Sequence, residues 1–349
     1  SDRYQYILPY YNYDRYINIE NIDGSLKFNS SGSNDLQNTN NLKTKVINDL
    51  EYQSNEFINN LGFVSNFKIN FKNSNTLGKN DDDYKSSPQI ELMSLFEFTS
   101  SLPLIKEKNG YNNTLTPRVS LRMNPGDMKN YSSTEKNITV DNIFSINRLG
   151  LDDSFEEGKS LTIGLNYKKE SLENINKYFE FKVGSVFRDD EEDFIPKNSS
   201  LNKKNSNLFG SVTSSILENI IIDYDFRLDN NYDKFEYNSL NTKFVLDNFE
   251  TNFNFVEENG EAGNENFLEN TTVYNHDKNN SFSFKTRKNR KLNLTEFYDL
   301  IYEYKNDCLV AGIKYNKQYY EDRDLKPSEN LLFTLTLYPL TTYEQSQNR

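Results

Sequence analysis

The sequence predicts an all-β fold, an antiparallel transmembrane β-barrel present only in part, with roughly 17 or 18 strands of a larger barrel spread over residues 1–349. Three observations lead there. Apolar and polar residues alternate with period two in runs of about ten residues. Only 35% of residues are hydrophobic and mean hydropathy is −0.84, yet 24 Tyr and 25 Phe raise the aromatic share to 14%. Such a chain is poor in core for a soluble domain of its size but too aromatic to be disordered. No stretch reaches the roughly 18–20 apolar residues of a membrane helix, whereas a spanning strand needs only about 9–11, half of them apolar.

Alternation puts successive side chains on opposite faces. In residues 63–72, Phe63, Phe67, Ile69 and Phe71 oppose Asn66, Lys68, Asn70 and Lys72. In 160–167, Leu161, Ile163, Leu165 and Tyr167 oppose Thr162, Gly164 and Asn166. In 219–228, Ile220, Ile222, Tyr224, Phe226 and Leu228 oppose Asn219, Asp223, Asp225 and Arg227, with Ile221 out of phase. The same rhythm recurs in 179–188, 249–256, 281–287, 292–304 and 330–338. Arg118 and Arg122 alternate with Val119, Leu121 and Met123, so charge falls inside strands. These runs exceed the five or six residues usual in globular sheets. Aromatics gather near their ends, as at Tyr4, Tyr6, Tyr10, Tyr11, Tyr13 and Tyr16, or Tyr315, Tyr319 and Tyr320, in the manner of an interfacial girdle.

Short polar turns at 217–219 and 247–248 close hairpins, and long charged loops are expected at 72–87, 124–140 and 189–206. Unequal loops suit a barrel with a short-turn rim and a long-loop rim. Acidic runs at Asp81-Asp82-Asp83 and at 189–193 invite a divalent cation, though solvated loop charge is the plainer account. Pro103 and Pro117 mark strand starts or bulges, and His276 a turn. No domain linker interrupts the chain.

Composition also excludes functions. Cys308 is the sole cysteine and His276 the sole histidine, which removes an internal disulfide, a cysteine metal cluster and the usual general base. Asp152-Asp153 on a strand would point to opposite faces and could not cooperate as acid and base. No enzyme active site and no cofactor are expected. The net charge of −12, with Lys and Arg scattered, gives nucleic acid no basic stripe. The chain opens at Ser1-Asp2-Arg3 without an export signal, so an N-terminal portion is expected to be absent.

Several segments resemble LptD, the outer-membrane lipopolysaccharide-assembly barrel, most closely its alphaproteobacterial form. Tyr6-Ile7-Leu8-Pro9-Tyr10-Tyr11-Asn12-Tyr13 is similar to the family's Leu-Pro strand. Most specific is Leu115-Thr116-Pro117-Arg118-Val119-Ser120-Leu121-Arg122, continuing through Val140-Asp141-Asn142-Ile143-Phe144-Ser145-Ile146-Asn147-Arg148-Leu149-Gly150 to Glu157-Gly158-Lys159-Ser160-Leu161-Thr162-Ile163-Gly164-Leu165-Asn166-Tyr167. A third match joins Tyr304-Lys305-Asn306-Asp307-Cys308-Leu309 to Tyr319-Tyr320-Glu321-Asp322-Arg323-Asp324-Leu325-Lys326-Pro327-Ser328 and a closing strand at 331–338.

The resemblance implies the C-terminal part of that barrel, without the periplasmic jellyroll or the first strands. It implies non-enzymatic delivery of lipopolysaccharide to the outer leaflet through a polar lumen and a lateral gate. The last strand, with Leu331, Phe333, Leu335 and Leu337, would supply one half of the gate. Implied partners are lipopolysaccharide, an LptE-type lipoprotein plug, an LptA-type periplasmic bridge acting through the absent N-terminal domain, and outer-membrane lipids. Cys308 would form a disulfide to that domain; the alternative is an unbonded strand residue. Arg118, Arg122 and Arg148 are candidates for lipopolysaccharide phosphates or sugars, the plainer account being ion pairs with nearby Asp or Glu. Alternation by itself serves a general porin equally well, and a secreted β-sandwich adhesin less well.

Overall fold

Runs that alternate aromatic or branched residues with small polar ones favour an extended, pleated backbone. The computed structural model describes residues 5–18, 23–37, 40–81, 84–319, 327–338 and 341–348. Their regular elements are strands, apart from two single-turn 3₁₀ helices at Lys197–Ser199 and Gly260–Ala262. The strands are β1 (Gln5–Ile17), β2 (Gly24–Gln37), β3 (Asn41–Ser54), β4 (Phe57–Ile58), β5 (Val64–Lys79), β6 (Gln89–Ser101), β7 (Leu104–Lys108), β8 (Tyr111–Asn124), β9 (Gly158–Ser171) and β10 (Tyr178–Arg188). Then follow β11 (Leu208–Ser214), β12 (Ile220–Leu228), β13 (Phe235–Leu246), β14 (Phe249–Glu258), β15 (Asn266–Asn275), β16 (Asn280–Asn289), β17 (Leu294–Lys305), β18 (Leu309–Gln318), β19 (Ser328–Leu337) and β20 (Thr341–Asn348). The strand count among the described residues exceeds expectation because of β4 and β7, which are two and five residues long. The chain divides into two compact units.

The first unit comprises Ser1–Ile105, Thr114–Tyr167 and Val183–Phe209. Strands β1, β2, β3, β5, β6 and β8 pair in that order, all antiparallel, and β4 folds back on β5. The loop expected at 72–87 is a strand for half its length: β5 runs on to Lys79, still paired with β3 and β6. Small polar residues sustain it. Ser74 and Thr76 are buried on one face. On the other face the Asn75 amide donates to Asn73 Oδ1 at 2.6 Å, which also accepts from Asn48 Nδ2 at 3.1 Å. Ser30 donates to Asn48 Oδ1 at 2.7 Å, and Tyr11 lies 3.2 Å from Ser30 Oγ. This ladder crosses four strands between apolar rows, Phe28, Leu50 and Phe71 on one side and Leu36, Leu42 and Leu77 on the other.

The core of this unit lies in its connections. The segment 125–157, which follows β8, packs against the polar face of the strands together with 189–207, which follows β10. Met128, Ile138, Val140, Ile143, Leu149 and Leu151 bury against Val186, Ile195, Leu201 and Phe209. A smaller cluster joins Phe155 to Met93 and Leu95. Two glycines make room. A Cβ on Gly164 would stand 2.7 Å from the Phe144 ring, and one on Gly184 only 2.5 Å from Ile143 Cδ1. The expected charged loops at 124–140 and 189–206 therefore contain buried apolar side chains, a pattern without the period that marks strands.

The second unit comprises Lys106–Asn113, Lys168–Lys182 and Gly210–Arg349. Strands β12 to β20 form an unbroken antiparallel meander. One of its hairpins is tight: Asp247 and Asn248 alone connect Leu246 to Phe249, with Asp247 at φ 31°. His276 lies in a turn where Asp277 Oδ1 accepts from the N–H groups of Asn279 and Asn280. One face carries cross-strand ion pairs, such as Lys314 with Asp299 at 2.9 Å and Lys243 with Glu250 at 2.8 Å. The other exposes Phe282, Leu300, Ile313 and Phe333.

Two expectations need correction. The run 330–338 is not the last strand, because β20 pairs with β19 from Leu337↔Thr341 to Asn330↔Asn348. Leu331, Phe333, Leu335 and Leu337 thus sit on a strand bonded on both sides. Polar β20 lacks the apolar alternation that would have marked it. The β1 tyrosines do not form one girdle either: Tyr10 borders a polar cavity, whereas Tyr11 points to the opposite face. Tyr4, Tyr320, Asp82, Asp83 and the motif residues 321–326 lie outside the described residues.

Candidate functional site

Three guanidiniums converge on one carboxylate in the first unit. Arg122 comes from β8, Arg188 from the end of β10, and Arg148 and Glu156 from the packed segment. Arg148 Nε donates to Glu156 Oε2 at 2.7 Å, and its Nη2 to Oε1 at 2.5 Å. Arg122 Nη1 donates to Oε2 at 3.1 Å and Arg188 Nη1 to Oε1 at 2.5 Å. All four side chains are buried. Local turns set this up. Asn147 Oδ1 accepts from the Leu151 N–H, Gly150 adopts φ 59°, and the chain doubles back so that Arg148 meets Glu156.

The surroundings complete the network. Arg148 also donates to Ser160 Oγ and Thr162 Oγ1 on β9, each at 3.0 Å. Arg122 reaches the Ile146 carbonyl, and Arg188 that of Glu157. Glu97 on β6 lies 3.9 Å from Arg122 Nε and 3.6 Å from Lys68. Burial alone would raise the Glu156 carboxyl, but Arg148, Arg122 and Arg188 hold it well below the usual carboxylate range. Taking charges out of water is costly unless each is paired and hydrogen-bonded, and here the pairing is dense.

A second polar knot ties the segment to β5, β6 and the loop after β5. Asp153 accepts from Lys129 at 3.0 Å, Tyr84 at 2.8 Å and Tyr131. Burial opposes its ionisation, but the Tyr131 hydrogen bond and the Lys129 charge win and lower its pKa. Lys129 also meets Glu91 at 3.1 Å. Asp152, which with its neighbour lies in the segment and not on a strand, turns away toward Lys45 at 3.9 Å. Between the segment and the strands lies a cavity of about 410 Å³, lined by side chains such as Asn12, Ser31, Asn70, Lys72, Asn147 and Phe155. Lys72 is engaged there, with Asp49 at 2.7 Å and the Asp152 carbonyl at 2.6 Å, and Lys45, Glu51 and Asp152 add further charge to a lining that also carries amides and hydroxyls.

A family model described as LPS transport system D, LptD, matches residues 65–287, more than half of the chain. The chain belongs to the LptD family. Its strands are accordingly those of an antiparallel outer-membrane β-barrel, and lipopolysaccharide transport is its function at the level of the family. Solved structures similar to this chain include a porin variant from Rh. blastica, with 7% identity, a TM-score of 0.31, and 93% of this chain and 94% of that one covered. Another is a variant of the ferric enterobactin receptor of Pseudomonas aeruginosa, with 10% identity, a TM-score of 0.36, and 96% and 63% covered. Likeness this slight carries no argument about LptD function. No curated protein matches the sequence.

Of the residues singled out in the sequence, Arg122 and Arg148 come together on Glu156. Arg118 stays apart, its guanidinium 4.5 Å from the centroid of the Phe144 ring. Cys308 is free and exposed in the turn between β17 and β18. That turn shares one end of its unit with the turns at 247–248 and 276–279, since each intervening strand reverses direction. Among the acidic runs, Asp189 meets Lys159 at 3.8 Å and Asp190 meets Lys204 at 3.5 Å. Among the described residues no group of three or more His, Cys, Asp or Glu side chains is arranged to hold a metal. Sequence reasoning missed Glu97, Glu156 and Arg188. Alternation continued to its last residue offers Arg188, and alternation in β6 offers Glu97; nothing local marks Glu156.

Proposed function

We propose that this LptD chain forms part of the wall through which lipopolysaccharide passes to the outer leaflet, without chemistry. The observation that supports the reading is the family match over residues 65–287. The physical setting agrees with it: a cavity lined by amide, hydroxyl and charged side chains offers partners to sugar hydroxyls. In this reading lipid tails stay in the membrane, the sugar head crosses the polar lumen, and an LptE-type lipoprotein occupies the lumen beside the packed segment. An LptA-type bridge delivers substrate through an N-terminal domain, to which Cys308 is joined by a disulfide. Arg118 faces the lumen as a contact for phosphate or sugar, while Arg122 and Arg148 act from within the cluster. The lateral exit runs along β20 and not β19, which leaves Leu331, Phe333, Leu335 and Leu337 one strand inside the seam. An unpaired strand edge in lipid is costly, so a weakly paired seam is the natural point of exit.

Conditional depletion of the full-length protein tests the proposal. Newly made lipopolysaccharide should then fail to reach surface label while other barrels still assemble. If surface lipopolysaccharide persists and ion conductance falls instead, the chain acts as a porin.

A further inference from the structure

One turn of the first unit departs from the usual chemistry of turns. Those at 229–233 and 247–248 are built mainly from Asp and Asn. The hairpin that joins β3 to β5 instead exposes Phe57, Ile58, Leu61 and Phe63, with Ile58 at 71% and Leu61 at 78%. Gly62 lies against Leu102 of the next turn, which goes on to expose Leu104 and Ile105. A contiguous apolar patch of this kind marks contact with something other than water.

Three observations say what covers it. The first is position. Val64 pairs with Ser101, Ser101 pairs with Arg118, and the Leu102 N–H donates to the Pro117 carbonyl, yet β8 continues past Pro117 to Tyr111. The hairpin thus closes short of its neighbour's rim, level with strand. Phe57, opposite Ser65, extends the face of β5 that carries Phe67 and Phe71. The second is that both faces of the hairpin are apolar. Ile58 is opposite Val64, in phase with Asn70 and Lys72 on the polar face. A hairpin standing between lipid and a wet lumen would keep that side polar, as β5 does, so this tip leaves the wall. The third is that the tip's own groups serve its backbone. Asn59 Oδ1 accepts from the N–H groups of Leu61 at 2.9 Å and Phe63 at 3.0 Å. The Asn59 N–H donates to the Phe63 carbonyl at 3.1 Å, and that of Gly62, at φ 88°, to the Asn59 carbonyl at 3.0 Å. Donors satisfied within the segment are what a medium without water requires.

We infer that the tip 57–63 is a docking surface for the bilayer itself, dipping with Leu102, Leu104 and Ile105 to the boundary between head groups and acyl chains. The long connection 125–157 leaves the other end of β8, so the leaflet is the periplasmic one. Apolar side chains meet hydrocarbon there, and no head group is recognised. The inference rests on membrane placement of the barrel and not on what the barrel transports.

The test reconstitutes full-length protein into phosphatidylcholine vesicles and reads depth by tryptophan quenching. This part of the chain contains no Trp. The emission added by Leu61→Trp is measured against the natural protein, with lipids brominated on their acyl chains and with aqueous acrylamide. Leu121→Trp, on the outward face of β8, and Lys278→Trp, in a polar turn, serve as references. Brominated chains should quench Leu61→Trp to within about two-fold of Leu121→Trp, since both meet hydrocarbon, and acrylamide should quench only Lys278→Trp. If acrylamide reaches Leu61→Trp as readily as Lys278→Trp, the tip stands in water and the inference is overturned. If neither quencher reaches it, a protein covers the tip, which overturns the inference equally. Failure of brominated chains to quench Leu121→Trp would instead remove the wall itself from the membrane, and the hairpin with it. Should Leu61→Trp not fold, Phe63→Trp, an aromatic exchange at the same tip, decides by the same comparison.

Discussion

Arg148 grips Glu156 through two parallel contacts, Nε to Oε2 at 2.7 Å and Nη2 to Oε1 at 2.5 Å, although both belong to a segment without strand or helix. The same carboxylate holds Arg122 on β8 and Arg188 on β10. One side chain thus fastens an irregular segment to two strands, and its removal should loosen both.

Glu156→Gln keeps the shape and removes the charge, leaving three guanidiniums crowded without their common counter-ion. Breaking a buried ion pair from one side costs about 3–5 kcal/mol. The variant should lose its compact, heat-modifiable gel mobility at a clearly lower temperature than the natural protein. An unchanged transition would show that the carboxylate adds no net stability.

The pH dependence has a definite sign. Glu156 is held below the ordinary carboxylate range in the folded protein, so its stabilisation is fully present above the unfolded value of about 4.3 and is lost as pH falls toward the folded one. Asp153, also lowered, works in the same direction. Melting temperature should start to drop as pH falls below about 4.3 and go on dropping to pH 3 and beyond, at up to about 1.4 kcal/mol of stability per pH unit. Glu156→Gln should flatten that drop, and parallel curves for the two proteins would contradict the assignment.

Gly184→Val tests the contact between segment and wall. Its Cβ would stand 2.5 Å from Ile143 Cδ1 and 3.1 Å from the Ile163 carbonyl. Overpacking of this kind costs about 1–3 kcal/mol. Shortening the partner by Ile143→Ala should recover part of the loss, so the double variant should be more stable than the sum of the single changes allows. Strict additivity would mean that the two residues do not meet.

Cys308→Ser in the full-length protein should change mobility on a non-reducing gel and lower surface lipopolysaccharide, as a bond to an N-terminal domain requires. Unchanged mobility would make Cys308 an unbonded turn residue, consistent with its exposure here.

Strands were legible in the sequence wherever one face was apolar, as in β9, β12 and β14, because period two survives in composition. It failed in the second half of β5, where Asn73, Ser74, Asn75 and Thr76 are polar on both faces, and in β20, where Thr, Glu and Gln hide the pleat. The site was half legible. Arg122 and Arg148 stood out through the family motif around them. Glu156 did not, since its role depends on a turn at 147–150 that brings together residues no periodic template aligns. The buried core of 125–157 was hidden for the same reason: Ile138, Val140 and Ile143 follow the shape of the wall they cover and not a repeat of their own.

The ladder from Tyr11 through Ser30 and Asn48 to Asn73 and Asn75 has an evolutionary consequence. Each amide answers its neighbour's hydrogen-bonding need, so replacing one with an apolar residue strands a polar group on a surface flanked by Phe and Leu. An isolated substitution passes through an intermediate worse than either endpoint. This patch of wall is therefore free to drift only when neighbouring positions on adjacent strands change together, and pairs such as Asn48 and Asn73, distant in the chain, should vary as one.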